Sequence, residues 1–292
     1  MKDNKIMNNM TKRILASAAV LLLFASVAVA VPVRVYQLIH DIDFSSGFFV
    51  STGGLYNNLL LSVVAIAIVL FIVISILLSR KAALKTVSVP MRNKPMNFLW
   101  CGVLCIASIA SLIVMVIAPR RGAYTVSEWI LFSLLAVNIL ALAYCAYTSY
   151  RKDSAAVTDI LYLIPTAYTA MFLITKFITF TSILTISEHS LDVLALSSLV
   201  LFLLFRFSYV RDEKARVRTK VLSEIFAFMG GVIGAVAYIP RIIVFFIGNA
   251  NAKAYIVFPT IWELAVVLFA VCCVITAMSS NILRSKNDDR AA

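Results

Sequence analysis

Charge and histidine are scarce in this chain. Of its 292 residues only 14% are charged and two are histidine, whereas 62% are hydrophobic and the mean hydropathy is +0.97. A soluble domain is roughly half apolar and about a quarter charged, so the polar surface needed to clothe a water-exposed fold is missing. The two histidines, His40 and His189, are isolated, which excludes the HExxH pair of a zinc metalloprotease. No GxxxxGK[ST] phosphate loop and no GxSxG nucleophile elbow occurs. No Asp or Glu falls at the middle of an apolar run, where a proton-handling carboxylate pair would sit. No cofactor motif is present and no cofactor is expected. Cys101, Cys105, Cys145, Cys272 and Cys273 all lie within apolar runs and form no CxxC. They predict neither a disulfide framework nor a zinc knuckle, and they read as small hydrophobes.

What the chain has is long apolar runs. Eight are each long enough to cross about 30 Å of hydrocarbon: 13–37, 56–79, 97–118, 127–150, 157–181, 190–210, 219–247 and 256–281. Barrel strands would be shorter and would alternate apolar with polar residues. The expected fold is therefore all-α, a polytopic membrane helix bundle of about eight transmembrane helices forming one integral domain over 1–292.

Loop charges give the orientation. The net charge is +12, but the cations sit in short connections rather than on a soluble face. They read as topology signals and contacts with anionic lipid headgroups on the cytoplasmic side, not as a nucleic-acid surface. With the N-terminus inside, 19 of the 26 Lys and Arg fall on the cytoplasmic side and six on the outer side, with Arg206 near the inner end of span 6. Both termini are expected in the cytoplasm. Trp100 and Trp129 fall at opposite predicted edges, and Tyr36, Tyr56, Tyr124 and Tyr255 fall outside, in the pattern of aromatic belts. The basic N-terminus, the apolar run from Ile14 and Ala28-Val29-Ala30 also resemble a signal peptide with an A-x-A cleavage site. The apolar stretch runs on past Ala30, which favours an uncleaved first helix.

Polar residues inside the spans carry the functional expectations. Lys176, Arg241 and Glu263 are predicted at one depth, in the outer third of spans 5, 7 and 8. Glu263 is expected to offset one cation and leave the other for an anionic or zwitterionic ligand; snorkelling toward headgroups is the structural alternative. Asp159, Tyr162, Thr166, Thr169 and Lys176 recur at helical spacing on one face of span 5, beside Pro165. That face is a candidate cavity lining, with interhelical hydrogen bonding as its alternative. In span 7, Gly230 and Gly234 make a GxxxG step that predicts close helix packing, and Pro240 is a candidate kink or break. Glu224 is placed to pair with Arg206 at the inner end. Asn138 in mid-span 4 is expected to hydrogen-bond to another helix.

Both histidines have acids beside them in predicted outer loops. His40 precedes Asp41 and Asp43, and His189 lies between Glu188 and Asp192. Imidazole and carboxylate together suit zinc, manganese or iron, so these six residues are the candidate metal set. Acids are also the ordinary content of outer loops once cations are kept inside. The two segments, "IHDID" and "SEHSLD", occupy corresponding positions of two four-span halves, as a duplication would place them.

The stretch "VRVYQLIHDIDFSSGFF" resembles a segment of uncharacterised multi-span membrane proteins of Gram-positive bacteria. The likeness covers about 20 residues. It implies a bacterial plasma-membrane location and says nothing of activity. Three functional classes fit the sequence: a non-catalytic membrane component such as a sensor, assembly factor or partner subunit; a permease-like or lipid-handling protein; and a membrane enzyme using the outer His and acid loops.

Overall fold

The structure, a computed structural model, describes residues 2–41, 54–80, 95–117, 125–151, 158–181, 186–211, 217–248 and 257–290. Every regular element among them is helical: α1 Lys2–His40, α2 Leu55–Arg80, α3 Pro95–Ile117, α4 Val126–Arg151, α5 Thr158–Leu161, α6 Ile164–Thr181, α7 Ile186–Arg211, α8 Val217–Ile247 and α9 Ile261–Arg290. In lipid the helix satisfies its own backbone, so an apolar chain of this kind has few other ways to cross. Seven of the helices are long and apolar enough to span a membrane; the eighth expected span is realised as the pair α5 and α6. The protein is an integral, multi-pass membrane protein, consistent with residence in the plasma membrane.

Span 5 departs from its expected single helix. Pro165 has no N–H to give to the Leu161 carbonyl, and its ring disfavours helical geometry at the residue before it. The chain responds with a turn at Tyr162 and Leu163. Leu163 N–H bonds back to the Ile160 carbonyl at 3.0 Å, and the ladder restarts with Ala167 N–H on the Leu163 carbonyl at 3.0 Å. Two other prolines lie inside helices and behave differently. α1 runs through Pro32 and α8 runs through Pro240 without interruption. The candidate break at Pro240 is thus not one, and the broken helix lies in span 5.

Helix neighbours define the bundle. α8 packs on α7, α1, α9 and α2, while α9 also meets α1, α3 and α7; α3 packs on α4, α4 on α6, and α6 on α7. α8 is the central helix, with 67% of its membrane segment buried against 22% for α2, which lies on the outside against α1 and α8. The outward faces carry Leu21, Leu61, Ile106 and Leu140 exposed, as a surface solvated by lipid requires.

Small residues let the central helices approach. A Cβ on Gly230 would stand 2.7 Å from Leu199 Cδ2 of α7, and one on Gly231 would stand 3.0 Å from Val271 Cγ2 of α9. A Cβ on Gly234 would overlap Val267 of α9. The glycine step therefore faces two partners, α7 and α9, as the close-packing expectation required. Aromatic side chains fill the remaining space. Phe71 of α2 stacks on Phe228 of α8 at 4.0 Å, and Phe269 of α9 lies between Trp100 of α3 at 5.1 Å and Phe202 of α7 at 5.2 Å. Trp100 is buried within the bundle, whereas Trp129 is 56% exposed.

A buried charge cluster across four helices

Four charged side chains from four helices meet near one face of the bundle, at the end of α6, the start of α7, the end of α8 and the start of α9. Lys176 Nζ bonds to Glu263 Oε1 in a short contact and lies 3.5 Å from Asp192 Oδ2. Arg241 Nη1 donates to Asp192 Oδ2 at 3.0 Å, and its Nη2 lies 2.9 Å from Asp192 Oδ1. Asp192, Arg241 and Glu263 are each at most 2% exposed, and Lys176 is 14% exposed. Two cations face two anions, and Lys176 bridges both carboxylates. The planar guanidinium meets Asp192 with two nitrogens, the geometry that suits Arg to buried carboxylates.

Each member is placed by its helix. Glu263 is the third residue of α9, and Thr260 precedes that helix. Thr260 Oγ1 accepts from Glu263 N–H at 3.2 Å, while Glu263 Oε2 accepts from Thr260 N–H at 2.7 Å and from its hydroxyl at 2.9 Å. This is a capping box, which satisfies orphan donors at the helix start. A carboxylate at that end also meets the positive pole of the helix dipole. Oε1 of the same carboxylate is thereby aimed at Lys176. The preceding turn is tied down as well: Trp262 N–H bonds to Ser111 Oγ of α3 at 3.1 Å, and Trp262 Nε1 donates to Thr169 Oγ1 of α6 at 3.2 Å. Tyr238 of α8 is fully buried beside the Glu263 carboxylate.

The structure thus brings Lys176, Arg241 and Glu263 together, through a residue assigned elsewhere by sequence. Asp192 is not a loop ligand beside His189. It is the seventh residue of α7, and its carboxylate faces Arg241 and Lys176. The expected surplus cation is therefore absent from this cluster of four, because Asp192 supplies the second negative charge.

The span 5 face is also placed. Tyr162, Thr166 and Thr169 all point into the bundle, buried. Thr169 bonds to the Pro165 carbonyl at 2.7 Å and receives the Trp262 indole. Tyr162 sits at the break and forms a second polar cluster, near the opposite face. Asn97 Nδ2 of α3 donates to Tyr162 Oη at 2.9 Å and to Ser149 Oγ of α4 at 2.8 Å, and Ser149 and Tyr162 hydroxyls lie 3.3 Å apart. Asn138 Nδ2 donates to Ser108 Oγ of α3 at 3.0 Å, the interhelical bond expected of it. Glu224 pairs with Lys220 one turn away, at 3.6 Å. The side chain of Asp159 is outside those described.

The candidate metal set is only partly described. His40 ends α1 and its ring lies tilted against that of Tyr36 with centroids 4.6 Å apart, and Asp41 follows in the turn. Tyr36 also meets Tyr56 of α2 at 4.6 Å; Tyr124 and Tyr255, expected on the same side, lie outside the described residues. Asp43 lies outside the described residues, and the side chains of Glu188 and His189 are not among those described. Among the described residues no three His, Cys, Asp or Glu side chains are grouped closely enough to hold a metal ion.

No protein-family model matches the chain, and neither the curated proteins nor the solved structures provide a match.

Proposed function

We propose that this protein is a non-catalytic integral membrane component, of the sensor, assembly-factor or partner-subunit kind, whose buried charges hold its helices in register. The observation that carries this reading is the charge balance of Lys176, Asp192, Arg241 and Glu263, each facing an opposite charge on another helix. Charges in hydrocarbon are costly and demand partners; once paired internally they fix which helices meet. Expression and folding test it. Lys176→Ala and Arg241→Ala are each expected to lower the yield of folded protein in membranes. The neutral pair Lys176→Met with Glu263→Gln is expected to recover part of that loss. If both single variants reach wild-type levels, the charges are not structural and the reading fails.

A permease-like or lipid-handling protein is the second reading. The helix break at Tyr162 and Leu163 favours it, because discontinuous spans beside polar clusters are a device of transporters. Under it, Tyr162, Thr166 and Thr169 line the path, and Lys176, Arg241 and Glu263 meet an anionic or zwitterionic ligand. Loss of uptake in a Lys176 variant that folds normally would select this reading over the first.

The orientation belongs to the same proposal. The excess of basic residues in alternate connections puts both termini in the cytoplasm, and the segment around "IHDID" supports a bacterial plasma membrane. A cysteine introduced at Lys85 is then expected to resist impermeant thiol reagents added outside intact cells. Labelling there would reverse the topology.

A further inference from the structure

Polar groups inside this bundle fall along a line. At one end are Asn97, Ser149 and Tyr162, which tie α3, α4 and the α5–α6 break together. At the other end, Ser111 of α3 and Thr169 of α6 both bond to Trp262, next to Glu263. Ser108 and Asn138 bond across α3 and α4 between those ends. Helices α3, α4, α6 and α9 thus enclose a seam that has a polar cluster at each end and a polar pair within it.

Three polar atoms on these four helices are buried without a hydrogen-bonding partner. They are Trp100 Nε1, Thr166 Oγ1 and Asn138 Oδ1. Trp100 is one turn beyond Asn97 on α3, and Thr166 is one turn beyond Tyr162, so both follow the first cluster into the bundle. Asn138 belongs to the middle pair. All three residues are at most 8% exposed. The break adds acceptors at the same place, since Pro165 cannot serve the Leu161 carbonyl. A Thr within a regular helix ordinarily returns its hydroxyl to the carbonyl four residues back, as Thr169 and Thr175 do. Thr166 would address Tyr162, where the helix has opened.

An isolated buried polar atom costs free energy that a water with two to four partners recovers. Three in one seam, with donors and acceptors both represented, describe a hydratable path rather than scattered defects. We infer that this seam binds a file of internal water, running from the Asn97–Ser149–Tyr162 cluster past Trp100 and Thr166 toward Trp262 and Glu263. The bound species is water itself. The break at Pro165 is what opens backbone acceptors to it.

Hydroxyl-radical labelling by X-ray radiolysis of the full chain in lipid nanodiscs, read by mass spectrometry, tests this directly. Radicals form from water at the site, so a buried residue is labelled only if water stands beside it. Trp100 and Tyr162 are expected to be labelled at rates approaching that of exposed Trp129. Met278, fully buried and highly reactive toward radicals, serves as the dry reference and is expected to remain unmodified. Thr166→Val is expected to reduce labelling of Trp100 and Tyr162 several-fold and to leave Trp129 unchanged; Thr166→Ser is expected to preserve it. Labelling of Trp100 and Tyr162 as low as that of Met278 in the wild-type protein would overturn the inference. So would labelling that does not respond to Thr166→Val. The wild-type measurement decides even where a variant fails to fold.

Discussion

Replacing Asp192 by Asn removes one negative charge while keeping the side chain's shape. The carboxylate is 1% exposed and faces Arg241, itself 2% exposed, with nitrogen–oxygen distances of 2.9 and 3.0 Å. Lys176 stands 3.5 Å away. Removing one partner of a buried ion pair costs about 3–5 kcal/mol, because the remaining charge stays in a low-dielectric interior. Removing an ordinary interhelical hydrogen bond in a membrane protein costs about 0.6 kcal/mol. The two magnitudes are far enough apart for one measurement to separate them. Unfolding by SDS in mixed micelles, followed by circular dichroism, is a suitable assay. Asp192→Asn and Arg241→Gln are each expected to lose about 3 kcal/mol or more. The double variant is expected to lose clearly less than the sum, because the two changes remove one shared interaction. A single-variant loss near 0.6 kcal/mol, or strict additivity in the cycle, would refute the view that Asp192 neutralises buried cations.

Gly234→Ala is expected to destabilise the bundle by about 1–3 kcal/mol, since its methyl group overlaps Val267; Gly102→Ala, with nothing within 4 Å of the added Cβ, serves as the neutral control in the same assay. Thr260→Ala is expected to cost about 1 kcal/mol through loss of the cap, and because Thr260 Oγ1 accepts from the backbone N–H of Glu263, most of that cost should persist in a Glu263→Gln background. Asn138→Leu removes one interhelical bond and is expected to cost no more than about 1.7 kcal/mol, measured in the same way.

Much of the fold was legible because the bilayer permits so few solutions. Apolar run length located the helices, and the small-residue step at Gly230 and Gly234 announced close packing, though not that α7 and α9 would share it. Helical spacing put Tyr162, Thr166 and Thr169 on one face, and that face is buried. Pro165 and Pro240 were harder. Both are prolines within apolar runs, and whether the chain breaks or continues depends on what the neighbouring helices offer the freed backbone groups. At Tyr162 the hydroxyl is held by Asn97, 65 residues away in sequence, and by Ser149 on the preceding long helix.

The charge cluster was half legible. Depth alone brought Lys176, Arg241 and Glu263 to one level. Asp192 reads as part of the outer cluster around His189, although the expected span from 190 already contains it, and it lies on the second turn of α7. Its position could have been suspected from the need to balance Arg241. The Thr260-x-x-Glu263 spacing is a helix-start signature visible in the sequence; it explains why Glu263 is held still, which depth could not. Asn97 and Ser149 carried no signal at all, since lone polar residues near span ends are ordinary.

The most direct test of the account is whether α6 and α9 meet at this pair in a membrane. In a background with the five native cysteines replaced, Lys176→Cys with Glu263→Cys should form an intramolecular cross-link with a short bifunctional thiol reagent in intact membranes. Lys176→Cys paired with a cysteine at Leu140, which faces lipid, should not. Absence of the first cross-link in folded protein would contradict the four-helix charge cluster on which the proposed function rests.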